Sequence, residues 1–314
     1  MLSNKKVEKI LNRIGWLKII DAVEETFIEE AKGNTASPAK TIIHLEGTLN
    51  DYRVMPSRMY KYPYCGTKII AACGDNPKAG LPLARGVYIL NENEHQETVM
   101  VCRAEVLTAY RTAAATAVAV KYLAKKDSKI LGIIGCGVQA YSHIPAIEAV
   151  CNIREILIYD IDTTKQTDMV NAFKNTYAER KRGIFKYSDI IVTLTPTREP
   201  HIFKKDIDLY REQLICAVGG DSDRKIEIHQ EILPFVDHFC DSYEQVSHTG
   251  MVYAALEEKL ITKMHLKSLG SLIIHTSKTD NTKPVKLFLS TGVALEDLAL
   301  ARIVYEEGIK NGSI

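Results

Sequence analysis

The chain reads as an α/β protein built on a doubly wound parallel sheet, with a second, smaller α+β part. Three observations predict this. Residues 129–150, KILGIIGCGVQAYSHIPAIEAV, read as a strand, a glycine turn and a helix. From 129 to 241, apolar strand-length runs alternate with helical stretches, the pattern of a parallel sheet with crossover helices. Between 40 and 101, short runs such as KTIIHL, TKIIAA, RGVYIL and ETVMVC read as strands joined by turns rich in Gly, Asn, Asp and Pro.

In chain order, LKIIDAVEETFIEEA (17–31) spaces apolar residues as an amphipathic helix does, and Gly33 and Pro38 close it. The strands of 40–101 follow. EVLTAYRTAAATAVAVKYLAKK (105–126) is an alanine-rich helix whose small side chains favour close packing; its charges exclude a membrane span. ILGIIG, EILIYD, DIIVTLT, LICAVG and VDHFCDS are the strands of the parallel sheet, and VALEDLALARIVYEEGI (293–309) is a closing amphipathic helix.

Composition fits a water-soluble enzyme. At 314 residues there is room for two domains. Forty basic against 39 acidic side chains leave a net charge of +1, without the basic excess that nucleic-acid binding needs. No apolar run reaches the roughly 18 residues of a membrane span, and MLSNKKVEKI lacks the apolar core of an export signal, so the expected compartment is the cytoplasm. The seven cysteines form no CxxC pair and are expected to be reduced, mostly as small buried residues. Nine scattered histidines show no metal-ligand spacing, and no metal site is expected.

The glycine turn carries the functional reading. Ile130–Ile134 supply a buried strand, and Gly135 and Gly137 let the backbone turn tightly and approach a bound group. The helix that follows presents free N–H groups and the positive end of its dipole, which suits a pyrophosphate. Asp160, 25 residues after Gly135, stands where dinucleotide-binding units place the acid that accepts ribose hydroxyls. That acid would repel a 2′-phosphate, and Ile161-Asp162-Thr163 offers no arginine to receive one, so NAD is expected over NADP.

Ala140 fills the third small-residue position of the fingerprint, preceded by Gln139. This Gly-x-Gly-x-Gln-Ala turn resembles that of the ornithine cyclodeaminase/mu-crystallin family. Further stretches match in order: Arg111-Thr112-Ala113-Ala114, then Val218-Gly219-Gly220-Asp221 with Lys225-Ile226-Glu227, then Ser290-Thr291-Gly292-Val293-Ala294-Leu295-Glu296-Asp297. The resemblance runs from about residue 17 to 309. It implies a Rossmann-type NAD-binding domain over 116–292. It also implies a discontinuous dimerisation and substrate domain over 1–115 and 293–314, paired with a second copy across a two-fold axis. Contacts to NAD are implied for Arg111, Thr112, Gly135, Gly137, Val138, Gln139, Ala140, Asp160, Thr193, Thr195, Val218, Gly219 and Gly292. Where family members carry a short strand and a helix before the strand at Asp189, only ERKRGIFKYS (179–188) intervenes here. A lost helix and a trimmed sheet edge are therefore expected.

The catalytic candidates are Lys68 and Asp221. Lys68 lies in the apolar run CGTKIIAAC, where an unpaired ammonium is costly, so either it has a partner and a lowered pKa or it snorkels to water from an edge strand. Asp221, just past LICAVG, lies in the crevice at the strand ends, where a carboxylate could activate water; from spacing alone it could equally be a turn residue. The family's matching lysine contacts substrate and moves protons, and its aspartate is catalytic in cyclodeaminases. Arg111, a guanidinium within the alanine-rich helix, suits a carboxylate or phosphate, or else a solvated face. Lys40, Arg53, Lys68 and Arg111 form the expected substrate-binding set. Lys40 with Arg53-Val54-Met55-Pro56, and GDNPKAGLP (74–82), resemble the archaeal-type alanine dehydrogenase branch. The function expected is NAD-dependent oxidation at the α-carbon of a small L-amino acid, foremost L-alanine, reversibly from its 2-oxo acid. The alternatives are ornithine cyclodeamination, cyclic ketimine reduction, and a cofactor-binding protein without turnover, as mu-crystallin is.

Overall fold

The computed structural model describes every residue except 49, 223–224, 249, 263–264 and 276–281. The chain divides into two units, Met1–Arg111 with Val293–Ile314, and Thr112–Gly292. It opens with α1 (Asn4–Ile14), capped by Ser3, and α2 (Trp16–Ala31). Six strands follow: β1 (Thr35–Ala36), β2 (Thr41–His44), β3 (Asp51–Met59), β4 (Tyr64–Ala72), β5 (Ala84–Glu92) and β6 (Thr98–Arg103). The alanine-rich helix is α3 (Ala104–Leu123). The second unit contributes β7 (Ile130–Ile134), α4 (Val138–Glu148), β8 (Glu155–Tyr159), α5 (Thr163–Ala172), β9 (Thr176–Ala178), α6 (Lys181–Tyr187), β10 (Ile190–Thr193) and β11 (Gln213–Ala217). It continues through β12 (Asp237–Cys240), α7 (Tyr243–Val246), α8 (Gly250–Glu257), β13 (Leu266–Ser268), α9 (Leu269–Ile274) and β14 (Val285–Leu289). The last helix, α10 (Ala294–Lys310), belongs to the first unit. Among the described residues no helix is long and apolar enough to cross a membrane.

The first unit holds an antiparallel sheet in the order β1-β3-β4-β5-β6, with β2 also on β3. The sequence did not single out β3, whose Pro56 argues against a strand interior. On one side β2 pairs only as far as Val54 and β1 begins at Arg58, so Pro56 faces the interval between them and no ladder bond is lost there. One face of this sheet lies under α10: Met55, Lys68, Tyr88 and Cys102 stand opposite one another along a buried row. The other face carries Ile43, Tyr52, Val54, Ile69, Val87, Ile89 and Val101, all half-buried or exposed. RGVYIL is thus apolar on both faces, with Tyr88 and Leu90 on the buried one.

The second unit is an eight-stranded sheet, parallel throughout, in the order β13-β12-β14-β11-β10-β7-β8-β9. Its central strands β10 and β11 are buried at every position, as strands covered on both faces must be. The second half of α3 is buried almost all round at Ala113, Ala114, Ala115, Ala117 and Ala119, the close packing its composition predicts. Four of the seven cysteines are buried, three are half-buried, and all are free thiols.

The expected loss near 179–188 is corrected by the structure. Both the short strand β9 and the helix α6 are present, compressed to three and seven residues. Ile184 and Phe185 are the two side chains α6 buries, enough to anchor two turns. Gln166 Nε2 donates to the carbonyls of Ile158 and Glu179, fastening β9 to its neighbour. The strand β14 was also missed, because Lys286 interrupts VKLFL; its ammonium reaches the Leu123 carbonyl at the end of α3, 2.9 Å away.

Candidate active site

The first unit builds a buried quartet of charges. Lys68 enters from β4, directly between Met55 of β3 and Tyr88 of β5, and is 2% exposed. It has the partner that such burial demands: Nζ donates to Asp297 Oδ2 at 2.7 Å. Arg111 of α3 donates from Nη1 to Glu296 Oε2 at 2.7 Å and holds Nε 3.4 Å from Asp297 Oδ1. Both acids stand in the first turn of α10, where the helix dipole favours carboxylates, and both are fully buried. Burial, then the neighbouring Arg111 guanidinium, pulls the Lys68 pKa down to about 8 against the opposing pull of Asp297. An amine that ionises there exchanges protons near neutral pH. Glu296 and Asp297 were quoted in the sequence motif but given no role. The signal was two adjacent acids inside the otherwise apolar VALEDLALA.

Arg53 is also buried, two residues before Met55 and on the same face of β3. Its Nε and Nη2 form a two-pronged pair with Asp51, at 2.7 and 2.8 Å. Lys40 is half-buried just ahead of β2.

The second unit holds the glycine turn at the carboxyl end of β7. Gly135 takes φ +99°, a conformation that disfavours side chains, and a Cβ there would press within 3.1 Å of Leu194 and Thr195. Gly137 caps α4 without a side-chain bond, and a Cβ on it would meet nothing within 4 Å. The space beside Gly137, at the start of α4, is therefore open, as a bound pyrophosphate requires. Val138 is 77% exposed beside them, Ala140 is buried, and Gln139 Oε1 is buried without a hydrogen-bond partner. Asp160 accepts from the Cys136 N–H at 2.6 Å and from the Asp162 N–H at 2.8 Å, one bond on each oxygen. Each oxygen keeps a lone pair for a hydroxyl. Asp162 caps α5, and Lys165 Nζ lies 3.6 Å from that acid.

Beyond β10 and β11, Thr193, Thr195 and Gly219 converge on Glu227, which the sequence reading quoted without a role. Gly219 must be glycine, since a Cβ would lie 2.2 Å from the Thr195 carbonyl. Val218 is buried and donates its N–H to the Thr193 carbonyl. Thr112 is buried in α3. Asp241, at the end of β12, accepts from the Thr291 and Gly292 N–H groups at 2.6 and 2.8 Å and fixes the turn after β14. Asp221 follows β11 half-exposed, with Lys225 Nζ 2.7 Å from its Oδ1. Glu92, Glu94 and His95 gather in one turn after β5, but Glu92 accepts three backbone N–H groups there, so closing the turn accounts for it.

Comparison with known proteins agrees with this architecture. The model of the ornithine cyclodeaminase/mu-crystallin family matches residues 1–312. An alanine dehydrogenase of Archaeoglobus fulgidus is 31% identical, over 98% of this chain and 95% of that protein. Among solved structures, a Thermococcus litoralis Δ1-pyrroline-2-carboxylate reductase in complex with NADH and L-proline superposes with a TM-score of 0.91 at 30% identity, covering 99% of this chain and 98% of that one. An archaeal alanine dehydrogenase dimer with bound NAD gives 0.90 at 30% identity, over 99% and 96%. A family model that matches the chain from residue 1 to 312 has one reading: the chain belongs to the ornithine cyclodeaminase/mu-crystallin family.

Proposed function

We propose that the protein is an NAD-dependent oxidoreductase acting at the α-carbon of a small L-amino acid, foremost L-alanine, which it converts with NAD and water to pyruvate, ammonium, NADH and a proton, reversibly. The observation that carries this reading is Lys68, a buried amine poised near pH 8 in a setting rich in carboxylate-binding groups. The open amide edge of α4 and the spare lone pairs of Asp160 suit a dinucleotide, and the relatives solved with NAD or NADH share the fold at 30% identity. Gly135, Gly137, Val138, Gln139 and Ala140 would hold the pyrophosphate, Asp160 the ribose, and Thr193, Thr195, Val218, Gly219 and Gly292 the nicotinamide half, with Arg111 and Thr112 contributing from α3. When bound, the nicotinamide supplies the acceptor for the hydride that leaves Cα.

The chain's own groups do the rest. Arg111, paired with Glu296, would orient a substrate carboxylate through its planar guanidinium; Arg53 and Lys40 add positive charge. Neutral Lys68 Nζ accepts a proton as water adds to the imino carbon, and the ammonium returns it as ammonia leaves. Asp221 is the second acid–base candidate, a half-exposed carboxylate paired with Lys225. In reverse, protonated Lys68 assists amination of pyruvate.

A second reading, reduction of a cyclic imino acid to L-proline, is favoured by the likeness to the Thermococcus reductase. Ornithine cyclodeamination would share the oxidation step. The test is a panel of L-amino acids with NAD, following NADH absorbance and identifying products. Pyruvate and ammonia from L-alanine support the first reading, proline from ornithine or from pyrroline-2-carboxylate the others, and no turnover with any of them favours a cofactor-binding role. We also propose that the apolar outer face of the first unit's sheet, from Ile43 to Val101, pairs two copies.

A further inference from the structure

Glu227 is 3% exposed, and its carboxylate accepts four hydrogen bonds. Oε2 receives the Thr193 hydroxyl at 2.8 Å and the Gly219 N–H at 2.7 Å. Oε1 receives the Thr195 N–H at 2.7 Å and the Thr195 hydroxyl at 2.6 Å. Two backbone N–H groups and two hydroxyls address its two oxygens, a donor set suited to the ionised carboxylate. Burial raises its pKa above the usual carboxylate value, and these same bonds oppose the rise without cancelling it.

No cation offsets that charge among the described residues. Thr195 spends its one hydroxyl proton on Glu227, so Oγ1 must accept from His201 Nε2, 2.8 Å away. That fixes the imidazole proton on Nε2, and burial together with Lys181 holds the His201 pKa below its usual value, which keeps the ring neutral. Lys225 is engaged by Asp221, and Lys181 by the His201 carbonyl and Asp206.

The place of this anion gives it meaning. In a doubly wound sheet the dinucleotide lies across the carboxyl ends of the strands at the switch in strand order, here between β7 and β10. The glycine turn and Asp160 take the adenosine side, which leaves the ends of β10 and β11, where Glu227 sits, to the nicotinamide side. Oxidised nicotinamide is a cation and its reduced form is neutral.

We propose that Glu227 is a buried electrostatic determinant that biases the cofactor site toward the oxidised dinucleotide, acting through the low-dielectric floor formed by Thr193, Thr195 and Gly219. This rests on the proposed cofactor reading and goes beyond it. A buried charge acting at this range changes relative affinities on the order of tenfold.

The test is calorimetric titration of the full-length protein with NAD+, NADH and ADP-ribose, which lacks the nicotinamide. In Glu227→Gln the ratio Kd(NADH)/Kd(NAD+) should fall by about tenfold while ADP-ribose binding is unchanged. Glu227→Asp keeps the charge and should hold the ratio within about twofold; it stands as the test should the glutamine variant not fold. An unchanged ratio in Glu227→Gln, equal weakening of all three ligands, or a tenfold fall of the ratio in the charge-preserving Glu227→Asp overturns the inference. Wild-type protein that binds none of the three overturns the cofactor reading and this inference with it.

Discussion

Replacing Asp297 by asparagine isolates what the buried quartet does to Lys68. The substitution keeps the shape but removes the anion 2.7 Å from Nζ, leaving Arg111 as the nearby charge that disfavours an ammonium. Breaking a buried ion pair costs about 3–5 kcal/mol when the survivor stays charged. Lys68 has a cheaper route. With a pKa of about 8, its neutral form lies only about 1 kcal/mol above the charged form at pH 7. The variant is therefore expected to lose its proton rather than bear the full penalty, and the lysine should titrate below pH 7. In amino-acid oxidation, which needs the neutral amine, wild-type kcat/KM should rise with pH to a plateau with its midpoint near 8. In Asp297→Asn that midpoint should move down by more than about one pH unit. Stability gives a second readout. The folded pKa of Lys68 lies below its value of 10.5 in the unfolded chain, so the unfolded state binds more protons between the two. Wild-type stability from this group should thus rise with pH through that window, by about 3 kcal/mol in all, measured by denaturant titration at pH 7.5 and 10. A pH–rate midpoint left in place by Asp297→Asn would refute the reasoning, because Lys68 would then not be the group that titrates.

Three further outcomes are expected. Lys68→Ala should abolish turnover while NADH fluorescence titration still shows binding, since the dinucleotide contacts we propose fall in Thr112–Gly292 and at Arg111; joint loss of both would make the lysine structural. NAD should exceed NADP in kcat/KM, because Asp160 repels a 2′-phosphate and Lys165 is held by Asp162; a tenfold preference for NADP would overturn this. Light scattering should give about twice the 35.1 kDa chain mass, and Ile69→Lys with Ile89→Lys, both on the outer apolar face, should yield monomer. An unchanged dimer in that double variant would place the interface elsewhere.

The sequence made legible whatever local pattern controls. The glycine turn, its strand and Asp160 were readable because backbone conformation and spacing alone demand them, and the alanine-rich helix because its small side chains have few other uses. What escaped depends on partners distant in the chain. β3 hides behind Pro56, which is tolerated only because β1 and β2 stop short on either side of it. β14 hides behind Lys286, whose ammonium is satisfied by a helix end 163 residues away in the chain. The same cause hid the acids. Glu227, Asp241, Glu296 and Asp297 are all buried carboxylates, a placement that composition argues against unless donors are supplied. Those donors are hydroxyls, N–H groups and cations brought in by folding: Thr193 and Gly219 to Glu227, the turn after β14 to Asp241, Arg111 and Lys68 to the pair on α10. A motif that holds an acid inside an apolar run, as VALEDLALA does, is therefore best read as a request for a donor elsewhere in the chain. Lys68, the cation embedded in the apolar run CGTKIIAAC, is the answer to Asp297, 229 residues apart.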